Sequence, residues 1–165
     1  VNLSRAQLRQ PGLASDVLDV LRTHGVNASQ LILEVTESLA AQDEVVQATL
    51  ADIRSLGVML SLDDFGTGYS SLSCLHELPV NIVKVDRSFV IQAQTSAYHR
   101  VLIEATIRMA NTLGLGTVAE GIETSEQAAL MKVLGCDKGQ GYLYSKPLDA
   151  QALMQWMKTH VQAFA

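Results

Sequence analysis

Four times along the chain a helical stretch ends at a glycine and the sequence then turns apolar: His24-Gly25, Leu56-Gly57, Leu113-Gly114 and Leu134-Gly135. Glycine caps a helix C-terminus in the left-handed conformation, so each pair marks a helix stopping before a strand begins. Upstream of two of them, Val45, Val46, Leu50, Ile53 and Leu56, and then Leu102, Thr106, Met109 and Leu113, recur at helical spacing and give each helix one apolar face. Thr124 with Gln127 is a capping-box signature for a further helix, and Asp149 is placed to cap the last one. The short runs Leu31-Ile32-Leu33, Val58-Met59-Leu60, Ile82-Val83, Thr117-Val118-Ala119 and Gly141-Tyr142-Leu143 lack polar alternation. That pattern belongs to parallel strands covered on both faces, so the fold class is α/β with repeated βα units.

Such units close into a barrel or stay as an open, doubly wound sheet, and the polar residues choose between them. Asn2, Glu34, Asp63-Asp64, Lys84, Glu120 and Gln140 stand near the ends of successive runs. A parallel barrel brings the C-terminal ends of all its strands to one face, whereas an open sheet needs chemistry only at its switch point. The expectation is therefore a barrel. Strands near residues 2, 33, 60, 83, 118 and 142 make about six βα units, against the eight strands and ~250 residues of a typical full barrel. The start at Val1, within a strand, places the missing units at the N-terminus.

A net charge of −5 argues against a polymeric nucleic acid as partner, which calls for a basic face. Cys74 and Cys136 are too few for a disulfide scaffold and fit a reducing, cytoplasmic setting. No apolar run approaches the ~18 residues of a membrane span, although a longer parent protein could still be membrane-attached.

Glu34, Asp63, Asp64, Glu120 and Glu123 would crowd one face of such a barrel. Confined like charges raise one another's pKa and call for a cation, and oxygen ligands select hard ions such as Mg²⁺ or Mn²⁺. The adjacent Asp63-Asp64 suits two ions, the apparatus of phosphoester hydrolysis, with Lys84 as a fixed positive charge beside the phosphate. Each residue also has a plainer interpretation. Glu123 just ahead of Thr124 could be a helix cap, Glu37 and Asp86 surface groups, and Lys84 a snorkelling lysine. His24, His76, His99 and His160 share no metal spacing, and Met154, Trp156 and Met157 are most simply a core-facing helix end. Gly66-Thr67-Gly68 is too short for a nucleotide fingerprint.

Taken in order, Val1-Asn2-Leu3-Ser4, Leu33-Glu34-Val35-Thr36-Glu37-Ser38, Asp63-Asp64-Phe65-Gly66-Thr67-Gly68-Tyr69-Ser70-Ser71, Lys84-Val85-Asp86-Arg87-Ser88-Phe89, Ala119-Glu120-Gly121-Ile122-Glu123-Thr124 and Gly139-Gln140-Gly141-Tyr142-Leu143-Tyr144-Ser145-Lys146-Pro147 closely resemble the EAL family of cyclic di-GMP phosphodiesterases. The resemblance runs from Val1 nearly to the C-terminus. It implies that residues 1–165 are a partial EAL domain, a modified TIM (β/α) barrel that hydrolyses cyclic di-GMP to linear pGpG with two Mg²⁺ or Mn²⁺ ions. Carried over by position, Asn2, Glu34 and Asp63 resemble ligands of one ion, and Asp63, Asp64 and Glu120 those of the other. Lys84 resembles the lysine that contacts the attacking water. Glu120 matches the family's general base, a role that competes with metal ligation. Glu123 and Gln140 would position water and substrate, with Asp86 touching substrate or standing behind the residues that do. Glu37 resembles the anchor of a loop, including Phe65, Gly66, Thr67 and Gly68, that couples metal binding to homodimerisation.

One departure matters. The Glu-Ala-Leu segment that names the family is absent, so the expectation is an active parent protein, with sensory or cyclase-like domains upstream, and a 165-residue piece inactive alone. Two rival functions stay open: a non-catalytic cyclic di-GMP receptor, and a metal-dependent lyase with Lys84 as base.

Overall fold

A computed structural model describes residues 1–40, 44–66 and 74–160. Its elements run α1 (Arg5–Leu8), α2 (Leu13–His24), a short 3₁₀ turn (Ala28–Gln30), β1 (Ile32–Thr36), α3 (Glu37–Ala40), α4 (Glu44–Ser55), β2 (Met59–Phe65), α5 (Cys74–Glu77), β3 (Ile82–Val85), α6 (Arg87–Ala93), α7 (Ala97–Thr112), β4 (Gly116–Ala119), α8 (Ser125–Val133), β5 (Lys138–Gly139) and α9 (Ala150–His160). The five strands form one sheet in the order β1-β2-β3-β4-β5. Every pairing is parallel. Chain order equals sheet order, which is how a βα barrel is wound. Beyond β1, Asn2 makes an isolated parallel bridge to Glu34, with Leu3 N donating to Glu34 O at 2.9 Å and Glu34 N to Val1 O at 2.8 Å. The start of the chain is thus placed as a sixth strand position.

The glycine caps are where the sequence puts them. Gly25, Gly57, Gly114 and Gly135 all have positive φ, between 63° and 88°; a strand follows the last three within a few residues, whereas the 3₁₀ turn Ala28–Gln30 stands between Gly25 and β1. Thr124 and Gln127 make the expected capping box, and Asp149 Oδ1 accepts from Ala152 N at 2.8 Å.

Leu33, Val35, Leu60, Leu62 and Val83 pack against Val46, Leu50 and Ile53 in one core cluster. A second cluster joins Val85, Ala119 and Ile122 to Val90, Ile103, Ile107 and Met131. Buried aliphatic groups of this kind each contribute about 1.5–3 kcal/mol and lock the strand ends in place.

Three expectations need correction. Val45 lies 59% exposed, because the buried face of α4 is Val46, Leu50 and Ile53. The last strand is not Gly141–Leu143 but Lys138–Gly139, and Tyr142 and Leu143 lie in the turn after it. There Leu143 N donates to Ile122 O, and a Cβ on Gly141 would come within 2.1 Å of Ile122 O; the close crossing of two backbones displaces the strand. Helix α9 buries none of its residues. Met154 and Met157 are exposed, and Trp156 stacks on His160 of the same helix, 4.5 Å between ring centroids.

Candidate functional site

Alternation along each strand decides which residues meet at the site. In β1, Leu33 and Val35 are buried toward the helices, so Glu34 between them projects from the opposite face. The register carries this across the sheet, with Glu34 beside Ser61, Thr36 beside Asp63, Lys84 beside Val118 and Val85 beside Ala119. Glu120 follows β4 directly, its backbone N donating to Val85 O at 3.0 Å.

At the centre stands Lys84, with its side chain 6% exposed. Its Nζ lies 2.6 Å from Glu120 Oε1, 3.1 Å from Asp63 Oδ1 and 3.1 Å from Glu34 Oε1. Three strands thus each deliver a carboxylate to one ammonium from a fourth. Burial alone would push the lysine pKa down, but the hydrogen bond and charge of Glu120, followed by the hydrogen bonds of Glu34 and Asp63, hold it above its ordinary value. The snorkelling alternative for Lys84 is excluded.

The paired aspartates are made possible by a bulge. Leu62 pairs with Val83 and Phe65 with Val85, so Asp63 and Asp64 together oppose the single residue Lys84. In a regular strand two neighbours would face opposite ways; the extra residue lets both address one side. Asp64 takes the local strain, at φ 55°, the only non-glycine with positive φ among the described residues. Oxygens of Asp63, Asp64 and Glu120 lie within 4.8 Å of one another. Burial, then the charges of Asp63 and Asp86, push the Asp64 carboxyl above its ordinary value, against the pull of Lys84. Burial likewise raises Glu120, with Lys84 lowering it and Asp63 raising it further.

These features fit a hard divalent cation. The donors are carboxylate oxygens, two of them, on Asp64 and Glu120, are pushed above their ordinary pKa by burial and then by neighbouring charge, and an ammonium already sits among them as counter-charge. The residues that would hold an ion are Asp63, Asp64 and Glu120, with Glu34 joined to them through Lys84. Asn2 lies beside Glu34 through the backbone bridge.

Next to this cluster is a cavity of about 360 Å³ lined by Glu120, Glu123, Gln140, Arg87 and Tyr142, with Gly121 and Gly141. Glu123 is not the cap of α8, which is Thr124; its carboxylate pairs with Arg87 Nη2 at 2.6 Å. Asp86 caps α6, accepting from Ser88 N at 2.9 Å and from the Ser88 hydroxyl, so it acts on the site through its charge on Asp64. Glu37 is 3% exposed and accepts from Gly66 N at 2.9 Å, while Phe65 is buried at the end of β2. Thr67 and Gly68 lie outside the described residues. Arg87 and Tyr142 were not singled out from the sequence. The signal for Arg87 was its place three residues after Lys84, mirroring Glu120 and Glu123.

The EAL domain family model matches residues 1–147. The bifunctional diguanylate cyclase/cyclic di-GMP phosphodiesterase MucR of Pseudomonas aeruginosa is 40% identical over 155 residues, 93% of this chain and 23% of that protein. The structure of the PaMucR phosphodiesterase in complex with c-di-GMP superposes with a TM-score of 0.87 at 40% identity, covering 93% of this chain and 62% of that one. The manganese/cyclic di-GMP complex of Klebsiella pneumoniae BlrP1 superposes with a TM-score of 0.84 at 32% identity, covering 89% and 38%. The chain spans 20 to 25% of the length of curated relatives such as those from Sinorhizobium fredii and Mycobacterium bovis. The parallel sheet and its helices therefore have the TIM-barrel-like α/β architecture of EAL domains.

Proposed function

The chain belongs to the EAL domain family, and from that membership we propose that it supplies most of the metal-dependent site that hydrolyses cyclic di-GMP to linear pGpG. The observation that carries this is the grouping of Glu34, Asp63 and Glu120 around Lys84 Nζ, with Asp64 brought alongside by the bulge. A non-catalytic receptor has no need of so costly a concentration of like charge.

Asp63, Asp64 and Glu120 would hold Mg²⁺ or Mn²⁺, and Asn2 and Glu34 would complete the ligands for a second ion. When bound, such ions supply Lewis acidity toward the phosphate and acidify the attacking water. Lys84 places a permanent positive charge where negative charge builds up on the phosphate oxygens in the transition state. By the family resemblance Glu120 would also be the general base, a role that competes with holding an ion. Glu123, Gln140 and Tyr142 line the adjoining cavity and would orient the dinucleotide.

The loop from Asp64 through Ser71 would transmit metal occupancy to a homodimer interface, anchored by the Glu37 carboxylate on Gly66 N. Among the described residues five strands pair in one sheet, against the eight of a typical full barrel, so the 165-residue chain alone would have little activity. The full-length protein would carry upstream sensory or cyclase-like domains and act on the dinucleotide in the cytoplasm. Among the described residues, no helix is long and apolar enough to cross a membrane.

Chromatographic analysis of cyclic di-GMP incubated with the full-length protein and Mg²⁺ or Mn²⁺ tests this. Metal-dependent appearance of pGpG is expected; tight binding of unchanged cyclic di-GMP would establish the receptor instead.

A further inference from the structure

Two cation–carboxylate pairs tie the β3–α6 segment to the β4–α8 segment. Lys84 meets Glu120 and, three residues on along both segments, Arg87 meets Glu123, each at 2.6 Å. The first is the core of the metal cluster. The second stands on the wall of the adjoining cavity, and its side chains are 56% and 43% exposed, so it contributes little to stability.

Its construction is nevertheless specific. Asp86 caps α6 and so fixes where Arg87 leaves the helix. The arginine stem then lies over Gly121: a Cβ there would fall 2.2 Å from Arg87 Cγ and 2.5 Å from Cδ, at a backbone φ of +65°. The guanidinium reaches Glu123 Oε1, while the Glu123 backbone N donates to Oε1 of the buried Gln127 at 2.7 Å. Main chain and carboxylate of Glu123 are thus held from opposite sides. The turn that follows Glu120 is held as well.

We propose that Arg87 is a positioning residue of the phosphodiester reaction, fixing the Glu123 carboxylate and the Gly121 turn against the cavity and offsetting the Glu123 charge as an anionic phosphodiester approaches. This rests on the phosphodiesterase function proposed above. The guanidinium acts through Glu123, so the two residues form one unit.

The test is steady-state hydrolysis of cyclic di-GMP by the full-length protein with Mg²⁺, comparing Arg87→Ala, Arg87→Lys, Glu123→Gln and the double variant Arg87→Ala/Glu123→Gln, with thermal melting of each. Arg87→Ala is expected to lower kcat about tenfold with a smaller change in KM and an unchanged melting temperature. The double variant should be no worse than the worse single one. Arg87→Lys should recover part of the loss, since it keeps the charge but not the planar fork. Wild-type kinetics in Arg87→Ala, or losses that multiply in the double variant, would overturn the assignment. If the alanine variant does not fold, the lysine variant decides: a reduced kcat supports the assignment and a wild-type kcat overturns it. A wild-type protein without hydrolysis overturns the phosphodiesterase function and this inference together, whereas an active enzyme indifferent to Arg87 overturns this inference alone.

Discussion

Lys84–Glu120 and Arg87–Glu123 join the same two segments at the same distance, 2.6 Å, yet one is buried and the other half-exposed. The difference between them is not geometry at the contact but what surrounds it. Lys84 is itself buried and answers three carboxylates that are only 17 to 25% exposed, so removing it leaves charges that solvent replaces only in part. Arg87 answers one carboxylate at a cavity wall where water and salt can substitute, so its contribution is to orientation. Distance alone does not rank ion pairs; desolvation does.

The largest expected effect comes from emptying the buried centre. Lys84→Met should destabilise the fold by about 3 kcal/mol and abolish measurable hydrolysis, and Mg²⁺ should restore part of the stability by supplying another cation. A melting curve with and without Mg²⁺ checks this; a variant as stable as wild type would show that the two pairs differ less than their burial implies.

Next comes metal addition to the wild type, worth about 2.7 kcal/mol at a hundredfold excess over Kd. Its pH dependence follows from the carboxyls. Asp64 and Glu120 are raised above 3.8 and 4.5 in the folded state, so the fold holds their protons more tightly than the unfolded chain does. Their contribution favours folding at low pH and opposes it as pH rises through the raised values. A divalent ion offsets that opposition. Its stabilisation should therefore be larger at about pH 7.5 than at about pH 4.5, and a metal-induced melting shift independent of pH would contradict it.

Gly121→Ala probes the exposed pair through its packing. With positive φ and the Arg87 stem in the space of a Cβ, the substitution should cost about 1–3 kcal/mol and loosen Arg87 from Glu123, seen in a chemical denaturation curve. The smallest effect belongs to Glu104–Arg108, a 2.7 Å pair one helical turn apart and 42% and 78% exposed. Arg108→Ala should change stability by less than about 0.5 kcal/mol. A larger loss would restore distance as the ranking variable.

Much of this was legible in the amino-acid sequence because it depends on local rules. The glycine caps, the Thr124–Gln127 box and the apolar runs each report a backbone state of their own neighbourhood, and they set β1 to β4. Glu34, Asp63, Lys84 and Glu120 were visible as polar residues at strand ends, and parallel topology gathers them. What was not legible depends on meetings between distant segments. The bulge at Asp63-Asp64 is a property of pairing with β3. The displaced β5 follows from the crossing of Gly141 over Ile122, and the exposure of α9, none of whose residues is buried, is likewise a matter of what its apolar positions meet. Arg87 at the start of α6 carries no local signal of its role, which depends on Gly121 and Glu123 beside it.

The central claim is that the carboxylates around Lys84 form a divalent-cation site. Titration of the full-length protein with Mn²⁺, followed by loss of the free-ion electron paramagnetic resonance signal, measures it directly. Saturable uptake that Asp63→Asn weakens strongly, and Arg108→Ala leaves unchanged, is the expected result. No uptake by the wild type, or uptake indifferent to Asp63, would contradict it.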